Sequence, residues 1–241
     1  MDFNQFNKFL YECFEENSLS ELLDEEKSKK LYGFAKLLIE TNKKMNLTAI
    51  TDMDGVIFKH FGDSAKICSH ISVDAKVIDV GCGAGFPSFP LAILRPDLEI
   101  TALDSTAKKT AFIQNCAKEL GVVNITSVAA RAEEFAEAHR ESFDYATSRA
   151  VARLNILCEL CIPLVEVGGS FVPLKASKAQ EELDEARCAI RALGGTLKSV
   201  NEYKLVHSGE ELERYILEIK KASQTDKKYP RKYAQILKKP L

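Results

Sequence analysis

The stretch that decides the fold is "VIDVGCGAGFPSFPLAI", residues Val77 to Ile93. A short β-branched run leads directly into a loop with glycines at positions 81, 83 and 85, and an apolar segment flanked by prolines follows. This order is typical of the first βα unit of a doubly wound α/β sheet, in which glycines let the backbone approach a ligand. The stretch therefore predicts an α/β fold with a ligand at this turn.

From Lys76 onward, short apolar runs alternate with amphipathic stretches. The predicted strands are "KVIDV" (76–80), "EITALD" (99–104), "NITSV" (124–128), "FDYATS" (143–148) and "SFVPLK" (170–175). Helices are expected to begin near Ser88, Ser105, Ala132, Arg153 and Ser177. Two longer runs, "TLKSVNEYKLV" and "RYILEIKK", close the pattern with the turn "HSGEELE" between them. We predict a doubly wound, mainly parallel seven-stranded sheet with an antiparallel C-terminal edge.

The first 70 residues have a different pattern. Apolar residues recur at helical spacing from Phe3 to about Thr41, and no strand signal appears before Lys76. We therefore expect a helical N-terminal extension over residues 1–70 and a ligand-binding domain over residues 71–241.

Composition sets the broad class. The chain has 241 residues, of which 46% are hydrophobic, enough for a buried core. It has no apolar run of membrane-spanning length, and its acidic N-terminus does not resemble a signal peptide. The seven cysteines are scattered, and the pair Cys158 and Cys161 lies on one face of an apolar stretch, which favours packing over metal binding. We expect a cytoplasmic protein without a metal site or membrane contact, acting as a monomer.

Charge is distributed unevenly along the chain. Residues 220–241 contain eight lysines and arginines against a single acid, Asp226, whereas residues 1–30 contain eight acids against four lysines. A basic end on a nearly neutral protein predicts a polyanionic partner, because neutralised phosphates release counterions. The alternative interpretation from charge alone is a solvated tail that keeps the protein in solution.

The glycine loop does not match the dinucleotide fingerprint. G-x-G-x-x-G would need a third glycine at position 86 or 88, where the chain has Phe86 and Ser88. The loop instead has Asp79 two residues before the first glycine, a pattern that resembles the S-adenosylmethionine loop of Rossmann-like methyltransferases. Asp104 ends the next predicted strand 19 residues after Gly85, where a carboxylate can accept both ribose hydroxyls.

Two further segments bear on the chemistry. After the third strand, "AARAEEF" places Ala132 and Glu133 where methyltransferases commonly contact the adenine edge, although a Glu that opens a helix is also a favourable dipole partner. After the fourth strand, "TSRAVARL" contains Arg149 but neither an Asn/Asp-Pro-Pro-aromatic loop nor a Pro-Cys pair. The missing base and nucleophile favour an acceptor with its own lone pair, such as guanine N7.

Taken in order, these motifs resemble the RsmG (GidB) family of bacterial methyltransferases, which modify N7 of a guanine in 16S ribosomal RNA. The segments that carry the resemblance are "NLTAI" (46–50), "HFGDS" (60–64), "DVGCGAGFPSFPLAI" (79–93), "LDS" (103–105), "ARAEEF" (130–135), "SRAVA" (148–152), "LK" (174–175) and "KKYPRK...KKPL" (227–241). The resemblance implies a Rossmann-like class I methyltransferase fold, S-adenosylmethionine as cofactor, and 16S ribosomal RNA or the small ribosomal subunit as partner.

The loop, the strand ends and the resemblance together give the expected site. The expected cofactor contacts are Asp79, Gly81, Gly83, Gly85, Phe86, Asp104, Ser105, Ala132, Glu133 and Arg149. Arg149 and Lys175 are expected to position the acceptor, and no general base is expected. The chain departs from the family pattern at Ser88 and Ala176, and its tail lacks the usual Gly-Thr-Pro between basic clusters.

Two other functions fit the same residues. One is a small-molecule methyltransferase on the same fold, against which the basic C-terminus argues. The other is a cofactor-sensing RNA-binding or assembly protein that transfers no methyl group. The sequence leaves this second alternative open, because methylation at N7 requires no signature base.

Overall fold

The sheet is the centre of the architecture. A computed structural model describes residues 1–241, and its seven strands are ordered β3-β2-β1-β4-β5-β7-β6. The strands are β1 (Lys76–Val80), β2 (Glu99–Asp104), β3 (Ile125–Ala129), β4 (Phe143–Arg149), β5 (Val165–Lys175), β6 (Gly195–His207) and β7 (Glu210–Lys221). The first five strands pair in parallel, and β7 pairs antiparallel with both β5 and β6. The predicted α/β sheet with an antiparallel edge is therefore confirmed.

Ten α-helices accompany the sheet. They are α1 (Phe3–Glu16), α2 (Glu25–Met45), α3 (Met53–Gly55), α4 (Asp63–Ala65), α5 (Ser88–Leu94), α6 (Ala107–Leu120), α7 (Ala132–Ala138), α8 (Leu154–Cys161), α9 (Ala179–Ala192) and α10 (Tyr233–Lys238). A π-helical segment, Val56–Gly62, connects α3 to α4, and 3-10 turns cover Ser20–Leu22, Lys66–His70 and Ile162–Leu164. None of the helices is both long enough and apolar enough to cross a membrane.

Each face of the sheet has its own apolar core. On one face, 39 buried residues join the N-terminal helices to α5 and α6, and Val77 of β1 belongs to this cluster. On the other face, 25 buried residues join α7, α8 and α9, and here β1 contributes Ile78 and Val80. Burial on both faces explains why β1 is almost uninterruptedly apolar in sequence.

The C-terminal hairpin is tighter than predicted. The sequence suggested a seven-residue turn, "HSGEELE", but β6 continues through His207 and β7 begins at Glu210. Ser208 and Gly209 both have positive φ, 49° and 84°, which is the backbone geometry of a two-residue hairpin turn. The glutamates Glu210, Glu211 and Glu213 therefore belong to the exposed part of a strand.

Candidate functional site

A cavity of about 470 Å³ lies at the carboxyl ends of β1, β2 and β4. The carboxyl ends of parallel strands are the expected ligand position in a doubly wound sheet. Eight of the ten predicted cofactor residues line it: Gly81, Gly83, Phe86, Asp104, Ser105, Ala132, Glu133 and Arg149. The structure thus brings together residues from the ends of β1, β2 and β4 and from the start of α7.

The glycine loop closes tightly over the end of β1. Its first amides, those of Gly81 and Cys82, both donate to Leu103 O, at 2.7 and 3.0 Å. Gly81 has φ +76°, and a Cβ there would lie 2.5 Å from Val151. Gly83 has φ +57°, and a Cβ there would meet no atom nearer than Gly81 O at 4.0 Å. At Gly81 a side chain would clash with Val151. At Gly83 there is space for a side chain, and it is the positive φ that favours glycine.

Asp104 is the carboxylate that faces this loop. Its Oδ2 accepts a hydrogen bond from the Gly83 amide at 3.0 Å, and its Oδ1 accepts one from the Thr106 amide at 2.8 Å. Lys109 Nζ lies 3.8 Å from Oδ2. The side chain is nearly buried but lines the cavity. It can therefore bind hydroxyl groups of a ligand while it fixes the loop on either side.

Asp79 and Gly85, the other two predicted cofactor contacts, do not line the cavity. Asp79 is fully buried behind the loop, where its Oδ2 accepts a hydrogen bond from the Ser88 amide at 3.1 Å. Burial raises the pKa of the Asp79 carboxyl to about 6. Gly85 donates its amide to Cys82 O at 2.8 Å, and a Cβ at this position would meet the core residues Phe89 and Ile113. Both residues support the loop and the start of α5 in this structure.

Glu133 connects the cavity to the C-terminus. Its Oε1 accepts hydrogen bonds from Arg131 Nε at 2.7 Å and from the Tyr233 amide at 3.3 Å. Arg131 also covers the Tyr233 ring, with its guanidinium carbon 4.8 Å from the ring centroid. Tyr233 itself lines the cavity, a position that the sequence did not indicate because Tyr233 lies 100 residues from Glu133.

Residues 225–241, which we call the C-terminal segment, are held by one ion pair with a buried glutamate and by hydrogen bonds to backbone carbonyls. Glu159 on α8 is completely buried and accepts hydrogen bonds from the amide, Nε and Nη2 of Arg231, at 2.8, 2.8 and 2.6 Å. Arg140 donates to Thr225 O at 2.8 Å and to Tyr229 O. Arg231 is therefore a structural anchor, and the other basic residues of the segment carry its surface charge.

Replacing Arg231 with methionine is expected to release the C-terminal segment. Glu159 would lose its ionic partner, and detachment of the segment would let water reach this carboxylate. Cleavage by chymotrypsin after Tyr233 should become about tenfold faster, equivalent to about 1.4 kcal/mol of local stability. Lys238→Met, a neutralised lysine in the same segment, is the control. Equal cleavage of the Arg231 variant and the wild type would contradict this anchor.

Arg149, at the end of β4, lies in a buried polar network. Its Nη1 donates to Asp63 Oδ2 at 2.9 Å and to Lys59 O at 3.2 Å, and its Nη2 donates to His60 Nδ1 at 2.8 Å. Asp63 also accepts a hydrogen bond from Tyr203 Oη at 2.9 Å. This arrangement fixes the guanidinium at the wall of the cavity, beside Phe86, whose ring centroid is 5.2 Å away.

His60 is held neutral by this network. Because Nδ1 accepts from Arg149, Nε2 carries the proton and donates to Thr48 Oγ1 at 2.9 Å. The imidazole stacks on Phe86 with centroids 4.2 Å apart. Burial, with the charge of Arg149, lowers the pKa of His60 to about 3. No nitrogen of His60 remains free to accept a proton from a substrate.

Acid should destabilise the fold through His60. In the unfolded chain the imidazole takes up a proton near its ordinary pKa of about 6.5, whereas folded His60 stays neutral down to about pH 3. The contribution of neutral His60 to the free energy of unfolding is therefore complete above about pH 6.5. Below this pH it falls by about 1.4 kcal/mol per pH unit. Urea unfolding between pH 7 and 5 should show this slope in the difference between wild type and His60→Gln. A difference that does not change with pH would contradict it.

Lys175 is placed differently from the cofactor residues. It ends β5 and is nearly buried, and its Nζ donates to Glu182 Oε2 at 2.7 Å and to Ala152 O at 2.9 Å. Both side chains line a second cavity of about 430 Å³, which shares His60, Arg149 and Ala150 with the first. The two predicted positioning residues, Arg149 and Lys175, thus lie on the wall of this second cavity.

The chain is similar to known proteins both in sequence and in structure. A family model described as GidB, rRNA small subunit methyltransferase G, matches residues 27–215. A Staphylococcus carnosus protein named ribosomal RNA small subunit methyltransferase G is 42% identical over 239 residues, which cover 97% of this chain and 98% of that protein. A Staphylococcus epidermidis protein of the same name is 46% identical over 211 residues, which cover 86% of this chain and 87% of that protein.

Solved structures resemble the fold at low sequence identity. TYW2 from Pyrococcus horikoshii, in complex with MeSAdo, has a TM-score of 0.55 at 14% identity, covering 67% of this chain and 62% of that chain. TYW2 from M. jannaschii, in complex with AdoMet, has a TM-score of 0.52 at 14% identity, covering 65% of this chain and 74% of that chain. These likenesses show the fold alone.

Proposed function

This chain belongs to the rRNA small subunit methyltransferase G family, and from that premise we propose that it transfers a methyl group to N7 of a guanine in 16S ribosomal RNA. It is an rRNA methyltransferase, and its cofactor is S-adenosylmethionine. The observation that carries the choice of N7 is the state of His60, the imidazole of the cavity: Arg149 occupies its only unprotonated nitrogen. An acceptor with its own lone pair needs no such base.

The residues of the first cavity fit the cofactor chemically. Asp104 offers a carboxylate for the ribose hydroxyls, Glu133 and the Ala132 amide offer an acceptor and a donor for adenine, and Gly83 leaves open space at the loop. When bound, S-adenosylmethionine supplies an electrophilic methyl group on a sulfonium. We propose that Gly81 and Gly83 border its methionine portion and that Phe86 packs beside it.

The chain's own part in the reaction is to bind the two reactants, to orient them and to exclude water from them. The network around Arg149 holds the wall between the two cavities rigid, with Asp63 and His60 each fixed by hydrogen bonds. Orientation of two reactants and exclusion of solvent can supply much of the barrier reduction for a transfer that needs no proton. We therefore assign Arg149 a positioning role rather than that of an acid or base.

The RNA side of the proposal depends on charge. Lysines of the C-terminal segment are exposed, and the segment reaches the first cavity at Tyr233. Basic residues beside the cofactor suit a polyanion whose target base must approach the same place. We further propose that the protein acts in the cytoplasm, where a ribosomal substrate is found, and that it acts as a monomer.

Nucleoside mass analysis of 16S RNA tests the function. RNA from cells without the gene should contain one 7-methylguanosine fewer than RNA from the parent strain, and the wild-type gene should restore it. An unchanged inventory would overturn the proposal. Transfer of label from methyl-tritiated cofactor to small-subunit RNA in vitro separates this enzyme from a cofactor-sensing RNA-binding protein, which binds RNA with steep salt dependence but transfers no label.

A further inference from the structure

The second cavity has the properties of a binding site for the acceptor base. Its volume of about 430 Å³ is within the usual range for small ligands. It touches the cofactor cavity along a wall made by His60, Arg149 and Ala150. A base in this cavity would therefore lie beside the cofactor without occupying the cofactor's own place.

A lysine and a glutamate inside this cavity form a fixed donor and acceptor pair. Lys175 Nζ uses two of its three donors, on Glu182 Oε2 and Ala152 O. Glu182 Oε2 also accepts a hydrogen bond from the Leu154 amide at 2.9 Å, so this oxygen is occupied twice. Glu182 Oε1 has no hydrogen-bond partner in the protein, and this oxygen is not buried. One ammonium donor and one carboxylate oxygen thus remain available side by side.

The order of these groups matches one purine. Guanine presents O6 as an acceptor next to N1–H and the N2 amino group as donors, whereas adenine presents the N6 amino donor next to the N1 acceptor. When the six-position substituent of the base lies on the lysine, a lysine beside a carboxylate complements guanine and meets adenine donor to donor and acceptor to acceptor. Because the Lys175 and Glu182 side chains are held by backbone contacts as well as by each other, they cannot simply exchange places.

We propose that the second cavity binds the target guanine, with O6 on Lys175 and with N1–H and the N2 amino group on Glu182 Oε1. This assignment deepens the proposed function and rests on it. N7 is next to O6 on the other edge of the base, so a guanine held in this way keeps N7 free to face the cofactor cavity. Because the pair uses the Watson–Crick edge, the target base must be unpaired when it enters.

Binding of free nucleotides to the unaltered protein tests this assignment directly. The probes are guanosine, adenosine and 1-methylguanosine 5′-monophosphates, titrated by saturation-transfer NMR onto protein saturated with S-adenosylhomocysteine. Guanosine monophosphate should bind at least about tenfold more tightly than the other two, because the adenine edge and a methylated N1 each remove a charged hydrogen bond. Equal affinities for the three would overturn the proposal.

A variant pair locates the preference on Glu182. Glu182→Gln should lower kcat/KM for 16S RNA about 30-fold and abolish the preference for guanosine monophosphate, while S-adenosylmethionine binding measured by calorimetry stays within about twofold. The control is Asp184→Asn, which neutralises an exposed acid on the same helix. Retention of the guanosine preference by the Gln variant would overturn the assignment. Should the wild type bind guanosine monophosphate through Glu182 yet leave RNA unmethylated, the proposed function fails and the base pocket stands.

Discussion

Replacing Asp104 with alanine is expected to weaken S-adenosylmethionine binding about hundredfold, a loss of roughly 2.8 kcal/mol. The carboxylate has two tasks in the structure. It offers acceptor oxygens to the cavity, and it receives the amides of Gly83 and Thr106 from the loops on its two sides. Alanine removes a charged hydrogen-bond acceptor and leaves both amides without their partner, and each effect costs about 1–3 kcal/mol. Calorimetric titration of the purified protein measures the change.

Two further variants make this result specific. Asp104→Asn keeps one acceptor oxygen but loses the charge, so its affinity should lie between wild type and Asp104→Ala, about tenfold below wild type. Glu99→Gln changes an exposed carboxylate at the amino end of the same strand, away from the cavity, and should leave binding unchanged. A dissociation constant for Asp104→Ala within threefold of wild type, roughly 0.7 kcal/mol, would show that the ribose contact is placed wrongly.

The sheet could be predicted from sequence because its signals are local. β1 and β2 occupy the predicted residues 76–80 and 99–104, since buried parallel strands are short apolar runs that end at a glycine or an acid. The predicted hairpin turn is too long because three of the four residues 210–213 are glutamates. This first part of β7 extends beyond β5 and pairs only with β6, so its glutamate side chains stay exposed without interrupting the pairing.

The residues on the cofactor side of the site could also be predicted from local sequence signals. Ends of parallel strands meet at one edge of the sheet, so Asp104, Glu133 and Arg149 could be grouped without knowledge of their distances. Asp79 shows the limit of that reasoning. Its position before the glycines indicated the loop correctly, but only the structure shows that the side chain turns away from the cavity to the Ser88 amide.

The acceptor side could not be assembled from sequence. Asp63 meets Arg149 across 86 residues and Tyr203 across 140 residues, and Glu159 meets Arg231 across 72. These contacts depend on how the π-helical segment, the hairpin and the C-terminal segment pack against the sheet. No periodicity or motif spacing in the sequence predicts such packing. Nothing in the sequence therefore indicated that Glu182 and Tyr203 belong to the site.

Replacing Arg149 with methionine is expected to destabilise the protein by about 3 kcal/mol and to abolish methyl transfer. Asp63 is 4% exposed, and Arg149 is the cation that donates directly to its Oδ2. Arg214 Nε is more distant, at 3.5 Å from Oδ1. Methionine fills similar space but leaves the buried Asp63 carboxylate without its direct cationic donor. Removing one partner of a buried ion pair costs more stability than replacing both partners. Urea unfolding at pH 7.5 measures the stability, and label transfer to small-subunit RNA measures the activity.

A second substitution separates the structural role of Arg149 from its positioning role. Asp63→Asn removes the charge that Arg149 balances, so the double variant Arg149→Met/Asp63→Asn should be more stable than Arg149→Met alone by at least about 1 kcal/mol. Methyl transfer should nevertheless stay absent in the double variant, because neither substitution restores a fixed guanidinium at the wall between the cavities. Recovery of activity together with stability would mean that Arg149 only maintains the fold. Additive losses of stability would mean that Asp63 and Arg149 do not interact.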